Sequence, residues 1–153
     1  MSSDLWSFAL AVYARPGVED ACLHLQSAGA SVCLMLCGLW LEQRDVTCNE
    51  ARVQQLQELT APWDSEVVQP LRTLRMQWKT TAEADPVLKG MRDQIKGLEL
   101  EAERALLSRL EGTAQGWTRN SKESSGWLEA LAGTAANLNR DALRVLRVAA
   151  TGA

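Results

Sequence analysis

Histidine is nearly absent from this sequence, in which His24 is the only one. Helical bundles that bind two iron ions use paired Glu-x-x-His motifs, so this class of metalloprotein is excluded. Glycine-rich loops that bind nucleotide phosphates are also missing. His24 could act as a general base only with the Asp20 carboxylate beside it, and a functionless surface pair explains the same spacing.

Strong charge and long apolar runs are missing as well. The 16 basic and 19 acidic side chains leave a net charge of −3, whereas a nucleic-acid-binding face is strongly basic. The main apolar run, Val32–Leu41, has ten residues, and a membrane-spanning helix needs about 20. We therefore expect neither nucleic acid as a partner nor a membrane span.

An export signal is not recognisable, because Asp4 stands where a signal peptide has basic residues. We expect a cytoplasmic location, where cysteines stay reduced. Cys33 and Cys37, one helical turn apart, could share a metal ion. Cys22 and His24 would have to complete the site, but side chains two residues apart on a helix point in different directions. The prediction is core cysteines, no metal and no cofactor.

The run Val32–Leu41 predicts the centre of the fold. A helix that is apolar on every side is a buried helix, and Ser31 is suited to cap its N-terminus. In the first helix, Leu10 and Tyr13 belong to a second apolar stripe, which predicts burial on two sides. We predict an all-α fold, a compact bundle of six or seven helices around a buried central helix at about residues 31–43.

Start and stop signals place the other helices. The capping-box sequence Thr47-Cys48-Asn49-Glu50 opens one helix, and Ala61-Pro62 should end it. Asp85-Pro86 opens another, and Pro70 should kink or split the segment that begins at Trp63. The predicted helices cover, in chain order, 2–13 with Ser2 or Ser3 as cap, 18–28, 31–43, 47–60, 63–79, 86–111 and 125–149.

The whole chain, 1–153, is predicted to be a single helical domain with a flexible connection at about 112–126, which is rich in Gly, Ser, Thr and Asn. The helices on either side share an apolar repeat of roughly 3.5 residues, which predicts that they pair as an antiparallel hairpin. Trp117 and Trp127 flank the connection, where an exposed tryptophan could anchor a partner.

A row of cations is the main candidate for a surface site. Arg72, Arg75 and Lys79 lie beside the apolar stripe of their helix, whose burial would turn Arg72 and Lys79 toward water. Two guanidinium groups one turn apart can bind a carboxylate or phosphate of a partner. Alternatively, they pair with Glu99 and Glu103 of the same chain and tie two helices together.

Several blocks of sequence occur in a characteristic order. They are Leu5-Trp6-Ser7-Phe8, Pro16-Gly17-Val18, Cys22-Leu23-His24-Leu25-Gln26, the run from Val32 to Leu41, Val67-Val68-Gln69-Pro70-Leu71-Arg72 and Glu99-Leu100-Glu101-Ala102-Glu103-Arg104. In this order the chain resembles, over roughly residues 4–110, an uncharacterised bacterial family known only as a domain of unknown function. It departs from that family where Ser31 and Cys33 replace an Asp and an Asn. The resemblance implies a small, all-helical cytoplasmic protein and no particular activity.

Three functions follow from these observations. The favoured one is a non-enzymatic protein-interaction or scaffold module, whose partner is an unknown protein or a second copy of the chain. A pocket beside the Trp-rich core helices would instead bind or sense an apolar small molecule. The third is an enzyme with a site near Arg72, Arg75 and Glu99, which the sequence favours least.

Overall fold

The central helix, α3 (Val32–Gln43), is buried over most of its length. Every residue from Cys33 to Leu41 is buried. The Ser31 hydroxyl oxygen caps the helix by accepting a hydrogen bond from the Leu34 N–H at 3.3 Å. The predicted all-α fold and its buried central helix are both confirmed.

The structure is a computed structural model that describes residues 4–151, apart from the side chains of Ser121 and Leu138. The predicted cap at Ser2 or Ser3 lies outside the described residues. None of the helices described here combines the length and the apolar character that crossing a bilayer requires. Besides α3, the α-helices are α1 (Asp4–Tyr13), α2 (Val18–Ser27), α4 (Glu50–Trp63), α5 (Gln69–Gln77), α6 (Lys79–Ala84), α7 (Pro86–Ala114), α8 (Trp127–Ala132), α9 (Thr134–Leu138) and α10 (Arg140–Thr151).

Helices α4 and α5 follow one another along the chain, and both pack antiparallel to α7. At the end of α4, Trp63 Nε1 donates a hydrogen bond to the Ala102 carbonyl oxygen at 2.9 Å. Farther along, Arg92 Nε donates to the Arg75 carbonyl oxygen at 2.8 Å. Helices α1, α7 and α8 pack on α3, and α10 packs on α2. The central helix is thereby enclosed by both halves of the chain.

Helix α4 continues through Pro62 to Trp63, so the predicted end at Ala61-Pro62 is wrong. A proline inside a helix removes one backbone hydrogen bond and costs about 3 kcal/mol. Pro62 lies on the exposed side, where water can solvate the carbonyl group that is left free. Burial of Leu56 on the same helix and the contact of Trp63 with α7 offset the loss.

A π turn, Asp64–Val68, lies between α4 and α5, where the sequence predicted a kink or split caused by Pro70. One additional residue in a turn rotates the side chains that follow by about 100°. As a result Val68, rather than Val67, is buried, and Arg72 turns inward. The prediction that Arg72 faces water is therefore wrong.

The segment before α4 pairs with the connection after α7. The Thr47 N–H donates to the Thr118 carbonyl oxygen at 3.0 Å. Because Thr47 is held there, Asn49 caps α4 instead, accepting a hydrogen bond from the Arg52 N–H at 2.9 Å. The predicted Thr47 cap is wrong by two residues, and the flexibility of the connection at 112–126 stays a prediction.

The last part of the chain forms three short helices rather than one long one. Gly133, with a φ of +58°, ends α8, and Asn139 separates α9 from α10. Since α8 packs on α3 and α10 on α2, the predicted hairpin with α7 is wrong. Trp127 is fully buried and its Nε1 donates to the Val46 carbonyl oxygen at 2.9 Å. It is therefore a core residue and not an exposed anchor.

Candidate functional site

A cleft of about 530 Å³ opens where α1 and α2 face α5 and α7. Residues of the π turn and of the first half of α3 complete its wall. Four ionisable side chains lie in its inner part and are called the charged floor; three leucines at its edge are called the leucine rim. The charged floor consists of Arg72, Arg75, Glu99 and Glu103, and the leucine rim of Leu10, Leu23 and Leu100.

Glu99 binds both arginines of the charged floor. Its Oε1 lies 2.5 Å from Arg75 Nε, and its Oε2 lies 3.3 Å from both Arg75 Nη2 and Arg72 Nε. The Gln26 amide oxygen, in the orientation that satisfies both groups, accepts a hydrogen bond from Arg72 Nε at 2.9 Å. The hydrogen bonds to Glu99 raise the pKa of Arg75. Side-chain exposure is only 13% for Arg72, 30% for Arg75 and 9% for Glu99.

Glu103 is the least satisfied member of the charged floor. Its Oε1 lies 3.7 Å from Arg72 Nη2, and no residue of the described chain donates a hydrogen bond to its carboxylate. Burial, and after it the charge of Glu99, raises the pKa of Glu103, while the two arginines oppose the shift. In this cleft, Glu103 is the carboxyl group most suited to exchange a proton or to accept a donor from a ligand.

The structure brings together Arg72, Arg75 and Glu99, the three residues of the enzyme hypothesis. Two of them, Arg72 and Arg75, also belong to the predicted partner-binding set, whose third member is Lys79. The contacts are those of the alternative in which the arginines pair with Glu99 and Glu103 and tie α5 to α7. Because Glu99 is engaged by two cations, it would have to be released before acting as a base. Lys79 is exposed at the start of α6 and lies outside the lining of the cleft.

The leucine rim was not identified from the sequence. Its members come from three helices and remain 51% exposed at Leu10, 53% at Leu23 and 52% at Leu100. The half-exposed ring of Tyr13 lies in the same lining. The second apolar stripe of α1, with Leu10 and Tyr13, therefore borders the cleft instead of being buried. The only signal in the sequence was an apolar stripe without an identified packing partner.

Neither His24 nor the cysteines form a reactive cluster. His24 is exposed, and its Nδ1 lies 2.8 Å from the backbone carbonyl oxygen of Asp20, not from the Asp20 carboxylate. Burial raises the pKa of Cys22 and of Cys37 to about 12, and it raises that of Cys33 as well. Among the described residues, no three His, Cys, Asp or Glu side chains converge as metal ligands.

A second cluster of ion pairs lies away from the cleft and fixes the C-terminal helices. Arg147 of α10 lies 2.9 Å from a Glu42 carboxylate oxygen and 2.6 Å from one of Glu129. These hydrogen bonds raise the pKa of Arg147. Glu42 also accepts a hydrogen bond from the Leu128 N–H at 3.2 Å. The cluster joins α3, α8 and α10, so we assign it a structural role.

A family model described as a protein of unknown function, DUF2390, matches residues 4–110. Every residue that lines the cleft falls within the matched range. No curated protein and no solved structure matches the chain. Because the match covers more than half of the sequence and agrees with the family resemblance of its sequence blocks, the chain belongs to this family of proteins of unknown function.

Proposed function

We propose that the protein is a non-enzymatic protein-interaction module and that a segment of its partner docks in the cleft. One observation carries the proposal: folding leaves the three leucines of the rim half exposed to water, on three helices, in the lining of the same cleft as the charged floor. A contiguous exposed apolar surface bordered by polar groups is typical of a binding site. Covering the three leucines with a partner removes them from water and favours association.

The candidate partner-binding residues keep distinct roles in this proposal. Arg72 and Arg75 hold α5 against α7 through Glu99 and so fix one wall of the cleft. Arg75 is the more exposed of the two and can also reach a docked segment. Lys79, which is exposed just beyond the end of α5, contacts the partner outside the cleft.

The proposed interaction takes place in the bacterial cytoplasm and does not involve nucleic acid. All four cysteines are free thiols, which suits a reducing compartment. The net charge of −3 is far from the strong positive charge of nucleic-acid-binding proteins.

A second candidate function is supported by the size of the cleft. Its volume of about 530 Å³ falls in the range of roughly 300–1,000 Å³ that small-molecule sites occupy. Binding of an apolar small molecule would then replace docking of a protein segment. Native mass spectrometry of the purified protein distinguishes the two, because a bound molecule of constant mass, released on unfolding, supports the second function.

The proposed function is tested by affinity capture from the native host with a matched pair of variants. Leu23→Gln places an uncharged polar group on the leucine rim, while Val148→Gln places the same group on α10, at another exposed apolar side chain outside the cleft. Both changes are at the surface and should leave the free energy of unfolding within about 0.5 kcal/mol. We expect Val148→Gln to capture the same partner as the natural sequence and Leu23→Gln to lose it. Equal capture by both variants contradicts the proposal.

A further inference from the structure

The side chains of the charged floor differ in how many hydrogen bonds they can still form with a ligand. Glu99 and Gln26 already occupy Arg72, and Glu99 occupies Arg75 through two contacts. An anionic ligand that took the Nε–Nη2 edge of Arg75 with two hydrogen bonds would have to displace Glu99, which is 9% exposed, and leave it unpaired. Removing the partner of a buried charge is strongly unfavourable. While this pairing holds, Arg72 and the Nε–Nη2 edge of Arg75 are therefore poor groups for recognising an anion.

Glu103 has the opposite character. Its side chain is 31% exposed, its nearest cation is Arg72 at 3.7 Å, and its carboxylate oxygen atoms receive no hydrogen bond from the described residues. A carboxylate can accept several hydrogen bonds, and those from ammonium or guanidinium groups are the strongest. The open capacity of the charged floor is consequently that of an acceptor.

The remaining charges of the cleft agree with this. Its lining carries four carboxylates, from Glu19, Asp64, Glu99 and Glu103, against the three cations of Arg72, Arg75 and Lys96. Asp64 accepts a hydrogen bond from the Gln69 side chain at 3.2 Å. Glu19 is exposed and lies in the same lining as the half-exposed Tyr13 ring, whose face can attract a cation. Lys96, on the exposed side of α7, also lines the cleft and would repel a cationic ligand. Among the cations of the lining, it is the one without an ion pair to an acidic side chain of the described residues.

We propose that the segment received by the cleft is basic and apolar: a lysine or arginine side chain binds Glu103, with Glu19 nearby, while neighbouring apolar side chains cover the leucine rim. This inference rests on the proposed function and specifies the chemistry of the partner. The long apolar stem of lysine or arginine suits the geometry, since it can cross the leucine rim and bring its charge to the inner part of the cleft.

The test is selection from a random peptide library displayed on phage, with the natural sequence as the target and with removal of the peptides that also bind the uncharged variant Leu23→Gln. We expect the selected peptides to combine leucine-like residues with lysine or arginine. When Glu103→Gln is the target instead, the selected peptides should still be rich in apolar residues but no longer in lysine or arginine. A selected basic peptide should bind Glu103→Gln roughly tenfold more weakly, the change expected for one charge-assisted hydrogen bond.

The outcomes separate this inference from the proposed function. Peptides that depend on Leu23 but carry acidic residues, or show no charge preference, overturn the basic–apolar assignment and leave docking in the cleft intact. A library that yields no peptide dependent on Leu23 contradicts both. If Glu103→Gln fails to fold, Glu19→Gln, at an exposed position of the same lining, replaces it: a retained basic preference with unchanged affinity then counts against the inference.

Discussion

At the scale of single residues, Arg72 has the clearest consequence for stability. It is 13% exposed and contacts Glu99 and Glu103 of α7. Arg72→Ala leaves both carboxylates with less compensation, and we expect a loss of about 2–3 kcal/mol in the free energy of unfolding, at the lower end for a partly buried ion pair. Urea denaturation measures it. Lys79→Ala, at an exposed position of the same surface, is the control and should stay within about 0.5 kcal/mol.

Glu103 should make stability depend on pH in the opposite sense to a well-paired carboxylate. Burial and Glu99 raise its pKa above the ordinary 4.5, so the folded protein holds this proton more tightly than the unfolded chain. Ionisation at higher pH therefore lowers the free energy of unfolding. We expect Glu103→Gln to melt at a higher temperature than the natural sequence at neutral pH. The difference should vanish below about pH 4.

Thermal melts of Glu103→Gln and of the control Glu19→Gln across this pH range provide the measurement. A natural sequence that is more stable than Glu103→Gln at neutral pH would show that Glu103 is a satisfied structural group. A higher melting temperature for Glu103→Gln would instead mean that Glu103 lowers the stability of the fold at a position suited to binding.

The sequence predicted part of the site at this scale. Helical spacing places Glu99 and Glu103 on one face, and one of the two alternatives for Arg72 and Arg75 paired them with these carboxylates. The inward orientation of Arg72 could not be predicted, because it depends on the additional residue in the π turn. The leucine rim could not be predicted from the sequence either, since it exists only where three separate helices meet.

At the scale of helices, the contact between α3 and α8 depends on a glycine. A Cβ atom on Gly38 would lie 2.8 Å from Leu131 Cδ1 and 3.5 Å from Leu128 Cδ2. Gly38→Val adds two further carbon atoms there, and overpacking should lower the free energy of unfolding by about 2–3 kcal/mol. Gly97→Val on α7, where nothing lies within 4 Å, is the control. Equal urea midpoints for the two variants would contradict this packing.

Helix existence was easier to predict than helix ends and partners. The fully apolar run predicted α3, and Asp85-Pro86 correctly marked the start of α7, where Asp85 accepts hydrogen bonds from the Val87 and Leu88 N–H groups. The effects of Pro62 and Pro70 were harder to predict from the sequence, because tertiary packing decides whether a helix continues past a proline. The apolar repeat of the C-terminal segment showed that it packs, but not that α8 and α10 pack on α3 and α2.

At the scale of the whole molecule, the C-terminal helices complete the core of the family-matched part. Trp127, Leu128 and Leu146 are fully buried although they lie beyond residue 110. Each such side chain contributes about 1.5–3 kcal/mol on burial, and a domain is stable by only about 5–15 kcal/mol. A chain ending at Ala114 should therefore lose its cooperative thermal transition and bind the dye ANS. A cooperative melt at the natural temperature would contradict this.

The central claim is that a protein segment docks in the cleft between α1, α2, α5 and α7. Amide hydrogen exchange of the protein with and without its captured partner tests it most directly. We predict slower exchange on binding in α1, α2 and residues 96–107 of α7, with α10 unchanged. Protection confined to α4 or α10, with unchanged exchange in the helices that carry the leucine rim, would contradict the claim.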